Sequence, residues 1–170
     1  RRMTVNETEY QTRYISVDLP RLPDFKAVGG NKRGHWSKEY KARKAERTFW
    51  EWELIAAGYK RRTTALLQPP YNVTIVLAFP KSRPGPRPDK DNATTALKDL
   101  LDTLEPAHMT SNSTMRGFAG LISNDKDIAS LVVEYTAGDA PNTAIHIWSF
   151  ADEFNHDLDT FDAMISEEQL

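Results

Sequence analysis

The sequence predicts an α+β domain in which two main helices pack on one small mixed sheet. Two kinds of pattern alternate along the chain. Short runs rich in β-branched residues are typical of strands, and longer stretches with apolar residues every three or four positions are typical of helices. Strands are expected at 13–19, 72–79, 129–135 and 144–150, and helices at 37–58 and 93–104.

The strand predictions depend on side-chain alternation and on β-branched content. Residues 13–19 alternate apolar and polar positions, and residues 72–79 are dominated by types that favour strands. Five Pro and Gly residues between 80 and 88 prevent the second strand from continuing. The turn-forming segment 137–142 predicts that the last two strands form an antiparallel hairpin.

The helix predictions depend on apolar spacing and on residues that begin and end helices. Ser37 is expected to cap the first helix, and Gly58 is expected to end it. In the second helix, apolar residues at helical spacing continue to Leu104, and Pro106 lies two residues later. Residues 106–120, rich in Ser, Thr, Asn and Gly, are expected to form a loop.

Length and composition limit the class of protein. A chain of 170 residues, of which 39% are hydrophobic, is sufficient for one domain. Because the sequence has no cysteine, disulfides, thiolate metal sites and cysteine nucleophiles are excluded. We find neither an apolar run of the roughly 20 residues that a membrane span needs nor a secretory signal. We therefore expect a soluble, cytoplasmic protein with no membrane partner.

Two acidic clusters are candidates for a metal site. Asp89 and Asp91 precede the second predicted helix, and Asp125 and Asp127 precede the third predicted strand. In an extended segment, side chains two residues apart point to the same side, so Asp89 and Asp91 can share an ion with a third carboxylate. Mg²⁺, with Mn²⁺ as a substitute, prefers oxygen ligands and assists phosphodiester hydrolysis.

A purely structural interpretation of the same residues stays open. Asp91 or Asn92 can cap the second helix, because both residue types are favoured there. Asp125 and Asp127 can shape a turn. The spacing of these residues does not separate the two interpretations.

Four segments form an ordered pattern: Asn31-Lys-Arg-Gly-His-Trp36, Arg87-Pro-Asp-Lys-Asp-Asn92, Leu97-Lys-Asp-Leu-Leu-Asp-Thr-Leu104 and Ile122-Ser-Asn-Asp125. In order and spacing they resemble the RusA family of Holliday junction resolvases, over residues 16–136. The resemblance implies a RusA-like fold and a homodimeric, Mg²⁺-dependent endonuclease. Such an enzyme nicks opposing strands of a four-way DNA junction symmetrically.

The resemblance also implies roles for individual residues. Asp89, Asp91 and Asp125 match the metal-binding carboxylates of the family. Lys98 matches a helix lysine that contacts the scissile phosphate or stabilises the transition state. Lys98 comes seven residues after the second aspartate, whereas a spacing of four residues is common in the family. On a helix, both spacings place the lysine near the same face. Asp102 matches a further acidic position and is a secondary candidate.

A basic stretch is expected to bind DNA phosphates. Residues 31–62 contain ten Lys or Arg residues and four Glu residues. The predicted DNA contacts are Arg33, His35, Trp36, Lys38, Lys41 and Lys44 in this stretch, and Lys81, Arg83, Arg87 and Lys90 beside the aspartates. The alternatives are a solvated helix face for the lysines and a place in the core for Trp36.

Charge divides the chain into two parts. All 22 Lys and Arg residues lie at or before Lys126, whereas residues 151–170 contain seven of the 24 acidic residues. We therefore expect a basic nuclease domain, residues 1–150, and an acidic C-terminal tail, residues 151–170. The tail either serves solubility alone or competes with DNA for the basic surface.

Three functions remain open at this point. The first is a junction resolvase, the second a less selective nuclease of flaps and other branched DNA, and the third a non-catalytic DNA-binding protein whose aspartates are helix caps. A two-fold junction favours a homodimer. Strands 72–79 and 129–135 are candidates for its surface, because an exposed strand edge invites pairing.

Overall fold

The computed structural model describes residues 14–29 and 35–150, so that Arg33 and the acidic tail lie outside the described residues. This part of the chain is a mixed α+β structure, as predicted. Its elements are β1 (Tyr14–Leu19), α1 (Phe25–Val28), α2 (Trp36–Ala56), β2 (Tyr71–Pro80), α3 (Lys90–Ala96), α4 (Lys98–Leu104), β3 (Pro106–Met109), β4 (Met115–Ala119), a 3₁₀ turn (Asp125–Asp127), β5 (Ile128–Gly138) and β6 (Asn142–Ser149).

The main sheet is mixed and has the strand order β1-β6-β2-β5. Strand β2 pairs antiparallel with β6 on one side and parallel with β5 on the other. The predicted hairpin of the last two strands is therefore wrong, because β2 lies between them. Residues 139–141 instead carry the chain past the end of β2. The prediction that residues 72–79 form an exposed sheet edge is also wrong, because β2 is an inner strand. Strand β5, which contains residues 129–135, lies at an edge of the sheet.

The core lies between one face of this sheet and the helices. Alternate residues of β2 point into it, among them Val73, Ile75 and Leu77, each at most 1% exposed. Trp50 from α2 and Leu100 from α4 are also fully buried against this face. Burial of each large apolar side chain stabilises the fold by about 1.5–3 kcal/mol. This shared core joins α2 and α4 to the main sheet.

Both predicted helices exist, with corrected boundaries. The first begins at Trp36, because the ring nitrogen Nδ1 of His35 accepts a hydrogen bond from the Ser37 backbone N–H at 3.3 Å, so Ser37 is not the cap. The second begins at Lys90, earlier than predicted, and is divided at Leu97 into α3 and α4. In the described ranges, no helix combines the length and the apolar character that crossing a membrane requires.

The segment expected to form a loop at 106–120 instead contains a two-stranded sheet of β3 and β4. Gly117 makes this sheet fit against the chain that precedes it. Its φ of 70° is in the left-handed region, and a Cβ there would lie 2.1 Å from the Pro106 carbonyl oxygen. The content of Ser, Thr and Gly in this segment is typical of a loop. The strand pairing depends instead on the close approach of Gly117 to Pro106, which local composition does not reveal.

A buried ion network joins α2 to α4. The carboxylate of Asp99 is 1% exposed and accepts hydrogen bonds from Arg43 at 2.9 Å and from Arg47 at 3.0 Å. Each carboxylate oxygen therefore has its own guanidinium partner. The charge of Asp99 is compensated within the fold.

Replacing Asp99 tests this network. Asp99→Asn should lower the free energy of unfolding by about 3–5 kcal/mol, because it leaves two guanidinium groups without their buried counter-ion. Urea denaturation monitored by circular dichroism measures the loss. The control is Glu39→Gln, which removes the more exposed carboxylate beside Arg43 and should cost less than about 1 kcal/mol. Equal losses in the two variants would contradict the role of Asp99.

A pair of glycine substitutions tests the close approach in the small sheet. Gly117→Ala and Gly85→Ala both place a side chain at a positive φ, of 70° and 83°. A Cβ at Gly85 meets nothing within 4 Å, so only the backbone penalty of about 1–2 kcal/mol applies there. Gly117→Ala should cost clearly more, because the new Cβ overlaps the Pro106 carbonyl. Equal melting temperatures for the two variants would refute the expected clash.

Candidate functional site

Three carboxylates converge where the last helical turn of α4 meets the 3₁₀ turn. Asp102 lies in α4, Glu105 comes directly after that helix, and Asp125 begins the 3₁₀ turn. One carboxylate oxygen from each lies within 4.8 Å of the other two. We call these residues the acidic cluster.

Backbone hydrogen bonds hold the acidic cluster in place. A side-chain oxygen of Glu105 accepts a hydrogen bond from the Asp125 backbone N–H at 2.9 Å. The backbone carbonyl of Glu105 accepts hydrogen bonds from Phe118 at 2.8 Å and from Gly120 at 3.1 Å, which ties it to β4 and to the turn after that strand. Asp127 is directed elsewhere, because its carboxylate accepts a hydrogen bond from the Ser123 hydroxyl at 2.5 Å.

The acidic cluster opens into two adjoining pockets of about 390 and 280 Å³. Asp102 and Arg116 belong to the walls of both pockets, so together the pockets form one groove. The larger pocket is also lined by Glu39, Tyr40, Arg43, Arg47, Lys98 and Asp99. The smaller is also lined by Glu105, His108, Thr110, Gly117, Asn124, Asp125 and Lys126.

Burial and mutual repulsion disfavour the charged forms of these carboxylates. Burial raises the pKa of Asp102, and the nearby Asp99 raises it further, although Arg116 lowers it in part. Burial also raises the pKa of Glu105. The hydrogen bond from the Asp125 backbone lowers that pKa, and the charges of Asp125 and Asp102 raise it.

The cations near the acidic cluster do not neutralise it. Arg43 and Arg47 are engaged with Asp99. Arg116 approaches Asp102 only to 3.7 Å, which is longer than a hydrogen bond. Among the described residues, its buried Nε has no hydrogen-bond partner. Three oxygen donors this close together could hold a metal ion.

The structure places part of the predicted site in this groove. Asp125 belongs to the acidic cluster, and Lys98 lines the larger pocket. Asp102, a secondary candidate from the sequence, is also a member of the cluster. The three carboxylates predicted to share an ion do not form such a group in the described residues, because Asp89 and Asp91 lie outside the acidic cluster.

The separation of Asp89 and Asp91 from Asp125 results from the sheet. The Tyr135 hydroxyl donates a hydrogen bond to the Pro88 carbonyl at 2.7 Å, which fixes the start of α3 beside the later part of β5. Asp125, in contrast, lies just before the start of β5 at Ile128. The seven residue steps from Ile128 to Tyr135 span about 23 Å. The two predicted halves of the site therefore lie near opposite ends of one strand.

Asp89 has a structural role at its own end of the sheet. Its side chain caps α3 by accepting a hydrogen bond from the Asn92 backbone N–H at 2.8 Å. The alternative that Asp91 or Asn92 caps this helix is therefore wrong, because the cap is Asp89. Asp91 is exposed in the first turn of α3. A role of Asp89 and Asp91 in binding metal stays a prediction.

Two residues of the groove were missed by the sequence predictions. Glu105 lies between Leu104, where the predicted helix ends, and Pro106, and its spacing of three residues from Asp102 places both on one helix face. That spacing was the available signal. His108 has no comparable signal in the sequence, because it reaches the groove through the pairing of β3 with β4.

The predicted DNA contacts fall into two groups. On α2 and at its cap, His35, Trp36, Lys38, Lys41 and Lys44 are all exposed. Trp36 is 74% exposed, so its assignment to the core is wrong.

The second group lies near Asp89, at the other end of β5 from the acidic cluster. Arg83 and Arg87 lie over the Phe79 ring, and Lys90 lies over the Tyr135 ring and donates a hydrogen bond to the Val133 carbonyl. Lys81 forms an exposed ion pair with Asp139. These cations are therefore associated with the predicted aspartates and not with the acidic cluster.

Comparison of the sequence with protein-family models and with curated proteins gave no match.

Metal titration separates the acidic cluster from the predicted aspartates. Glu105→Gln and Asp125→Asn should each weaken Mn²⁺ binding by at least about tenfold, because each removes a charged ligand. Asp91→Asn should leave the Mn²⁺ affinity within about twofold of the wild type. Isothermal titration calorimetry measures the three affinities. Loss of binding in Asp91→Asn alone would show that the acidic cluster is not the metal centre.

The raised pKa values of Asp102 and Glu105 predict a pH-dependent response to metal. Because these pKa values are higher in the folded chain than in the unfolded chain, their contribution to stability is present at low pH and lost as pH rises through them. A bound divalent cation offsets that loss. Mn²⁺ should therefore raise the melting temperature more at about pH 7 than at about pH 4.5. Calorimetric scans with and without Mn²⁺ check this, and an equal increase at both pH values would contradict it.

Proposed function

We propose that this chain is a divalent-metal-dependent endonuclease of branched DNA, which nicks four-way junctions symmetrically as a homodimer. The observation that carries the proposal is the convergence of Asp102, Glu105 and Asp125 in an open groove with cations on its walls. The resemblance to the RusA family supports the substrate class. The open groove supports access of an extended polyanion.

The donor set of the acidic cluster matches the chemistry that phosphodiester hydrolysis requires. Mg²⁺ or Mn²⁺ bound there would supply activation of water and stabilisation of charge on phosphate oxygens. Lys98 and Arg116 line the wall on the side of the larger pocket, and Lys126 lines the smaller pocket. These cations attract a phosphate toward carboxylates that would otherwise repel it.

A basic face of α2 would hold DNA next to the groove. Lys38, Lys41 and Lys44 are exposed, whereas Arg43 on the same helix points inward to Asp99. Exposed lysines provide sequence-independent contacts to phosphates. The exposed ring of Trp36, 5.7 Å from the His35 ring, is suited to stacking on an unpaired base at a branch point.

A second function is favoured by one specific observation. The Asp89 side chain caps α3, which agrees with a non-catalytic DNA-binding protein whose aspartates are structural. That alternative predicts no cleavage of any DNA with Mg²⁺ or Mn²⁺. A nuclease of low selectivity is distinguished from a resolvase by its rates on junctions, flaps and linear duplex.

The decisive experiment compares two neighbouring aspartates in cleavage of a mobile four-way junction. Asp125→Asn should reduce the Mg²⁺-dependent rate by at least about 10²-fold, because a ligand of the metal is lost. Binding of the junction without metal should be retained. Asp127→Asn is the matched control, because its carboxylate contacts Ser123 and lies outside the acidic cluster, and it should cleave at a rate close to that of the wild type.

Two outcomes would overturn the proposal. One is a wild-type chain that cleaves no branched DNA with Mg²⁺ or Mn²⁺ present. The other is an Asp125→Asn variant that cleaves at the wild-type rate, which would remove the acidic cluster from the reaction.

A further inference from the structure

His108 is presented to the acidic groove by the small sheet of β3 and β4. It lies opposite Arg116 in the register of the two strands, so that both side chains are on the same face of that sheet. Both residues line the pocket that contains Glu105 and Asp125. The side chain of His108 is exposed, so its ring is accessible from the groove.

A hydrogen bond to the backbone fixes which nitrogen of His108 carries the proton. Nδ1 lies 3.0 Å from the Pro106 carbonyl oxygen. A carbonyl oxygen only accepts hydrogen bonds, so Nδ1 must be the donor. In the neutral ring, Nε2 then has the lone pair and is the atom able to accept a proton. The backbone therefore sets the tautomer that a general base requires.

His108 is not a fourth ligand of the acidic cluster. Among the described residues, the ligand atoms that lie within 4.8 Å of one another come from Asp102, Glu105 and Asp125. The ring is held at the pocket wall by its bond to Pro106. A basic nitrogen beside a cluster of metal-binding character, but outside it, has the position of a proton acceptor.

We propose that His108 is the general base that activates the attacking water in the hydrolysis of the phosphodiester. This inference rests on the proposed function. The Nε2 atom takes a proton from water as the water oxygen forms a bond to phosphorus. The bond between phosphorus and one ester oxygen breaks, and that oxygen takes a proton from solvent.

The charges that face His108 favour this role. Asp102 and Glu105 at the end of α4, with Asp125 in the 3₁₀ turn, line the same pocket as the ring and leave Nδ1 bound to the Pro106 carbonyl. Arg116, the cross-strand neighbour of His108, is suited to hold the phosphate that the water attacks. Lys126 completes the charged wall of the pocket.

The test uses three variants of the full chain in single-turnover cleavage of a four-way junction with Mg²⁺. His108→Ala should reduce the cleavage rate by about 10²-fold without changing the affinity for the junction. Added imidazole should restore part of the lost rate. His108→Asn keeps a donor for the Pro106 carbonyl but has no basic nitrogen, so it should be as slow as His108→Ala. His146→Ala, on the sheet face away from the helices and bonded to Tyr14, is the matched control and should cleave like the wild type.

The outcomes separate this inference from the proposed function. Wild-type rates in His108→Ala, or recovery of the rate in His108→Asn, would overturn the role of His108 and leave the nuclease proposal in place. Recovery of the rate in His108→Asn would show that His108 acts only through its hydrogen bond to the Pro106 carbonyl. Full activity in Asp125→Asn, or no cleavage by the wild type, would overturn both proposals.

Discussion

Strands β2 and β5 run parallel from Tyr71, which pairs with Ile128, to Pro80, which pairs with Gly138. Because parallel strands run in the same direction, the chain leaves β2 at one end of the sheet and enters β5 at the opposite end. It crosses that distance through α3 and α4, which pack on the core with Ala93 of α3 and with the leucines of α4. The end of α4 thereby meets the 3₁₀ turn before β5. The acidic cluster is a direct result of this crossing.

Charge is distributed around this junction in two different ways. Asp99 has one guanidinium for each oxygen and is closed off from solvent. One helical turn later, Asp102 forms a longer ion pair with Arg116, at 3.7 Å, and lies close to Glu105 and Asp125. The arginines of α2 donate their hydrogen bonds to Asp99 and not to the acidic cluster. The fold thus closes one carboxylate off inside an ion network and leaves three others together at an open groove.

Local sequence signals predicted most of the elements. Alternation predicted β1, the content of β-branched residues predicted β2, and apolar spacing predicted α2 and the helical region after Asp89. The errors arose where partners are distant in sequence. The pairing of β5 with β2 in place of β6, and the small sheet of β3 and β4, depend on contacts that leave no local pattern. For the same reason the sequence did not indicate which of the predicted site residues lie together: Asp125 and Lys98 lie at the groove, whereas Asp89 and Asp91 lie near the other end of β5.

By itself, the sequence determined the fold class, the two main helices, the absence of cysteine chemistry and the types of residue available for a site, which are carboxylates, lysines and arginines. These properties depend on composition and on periodicity along the chain. Only the tertiary structure decided which carboxylates meet. It joined Asp102 and Glu105 to Asp125, assigned Asp89 to a helix cap, and brought His108 to the groove. The physical reason is that proximity between side chains is set by strand order and direction, and those are fixed by packing of the whole core.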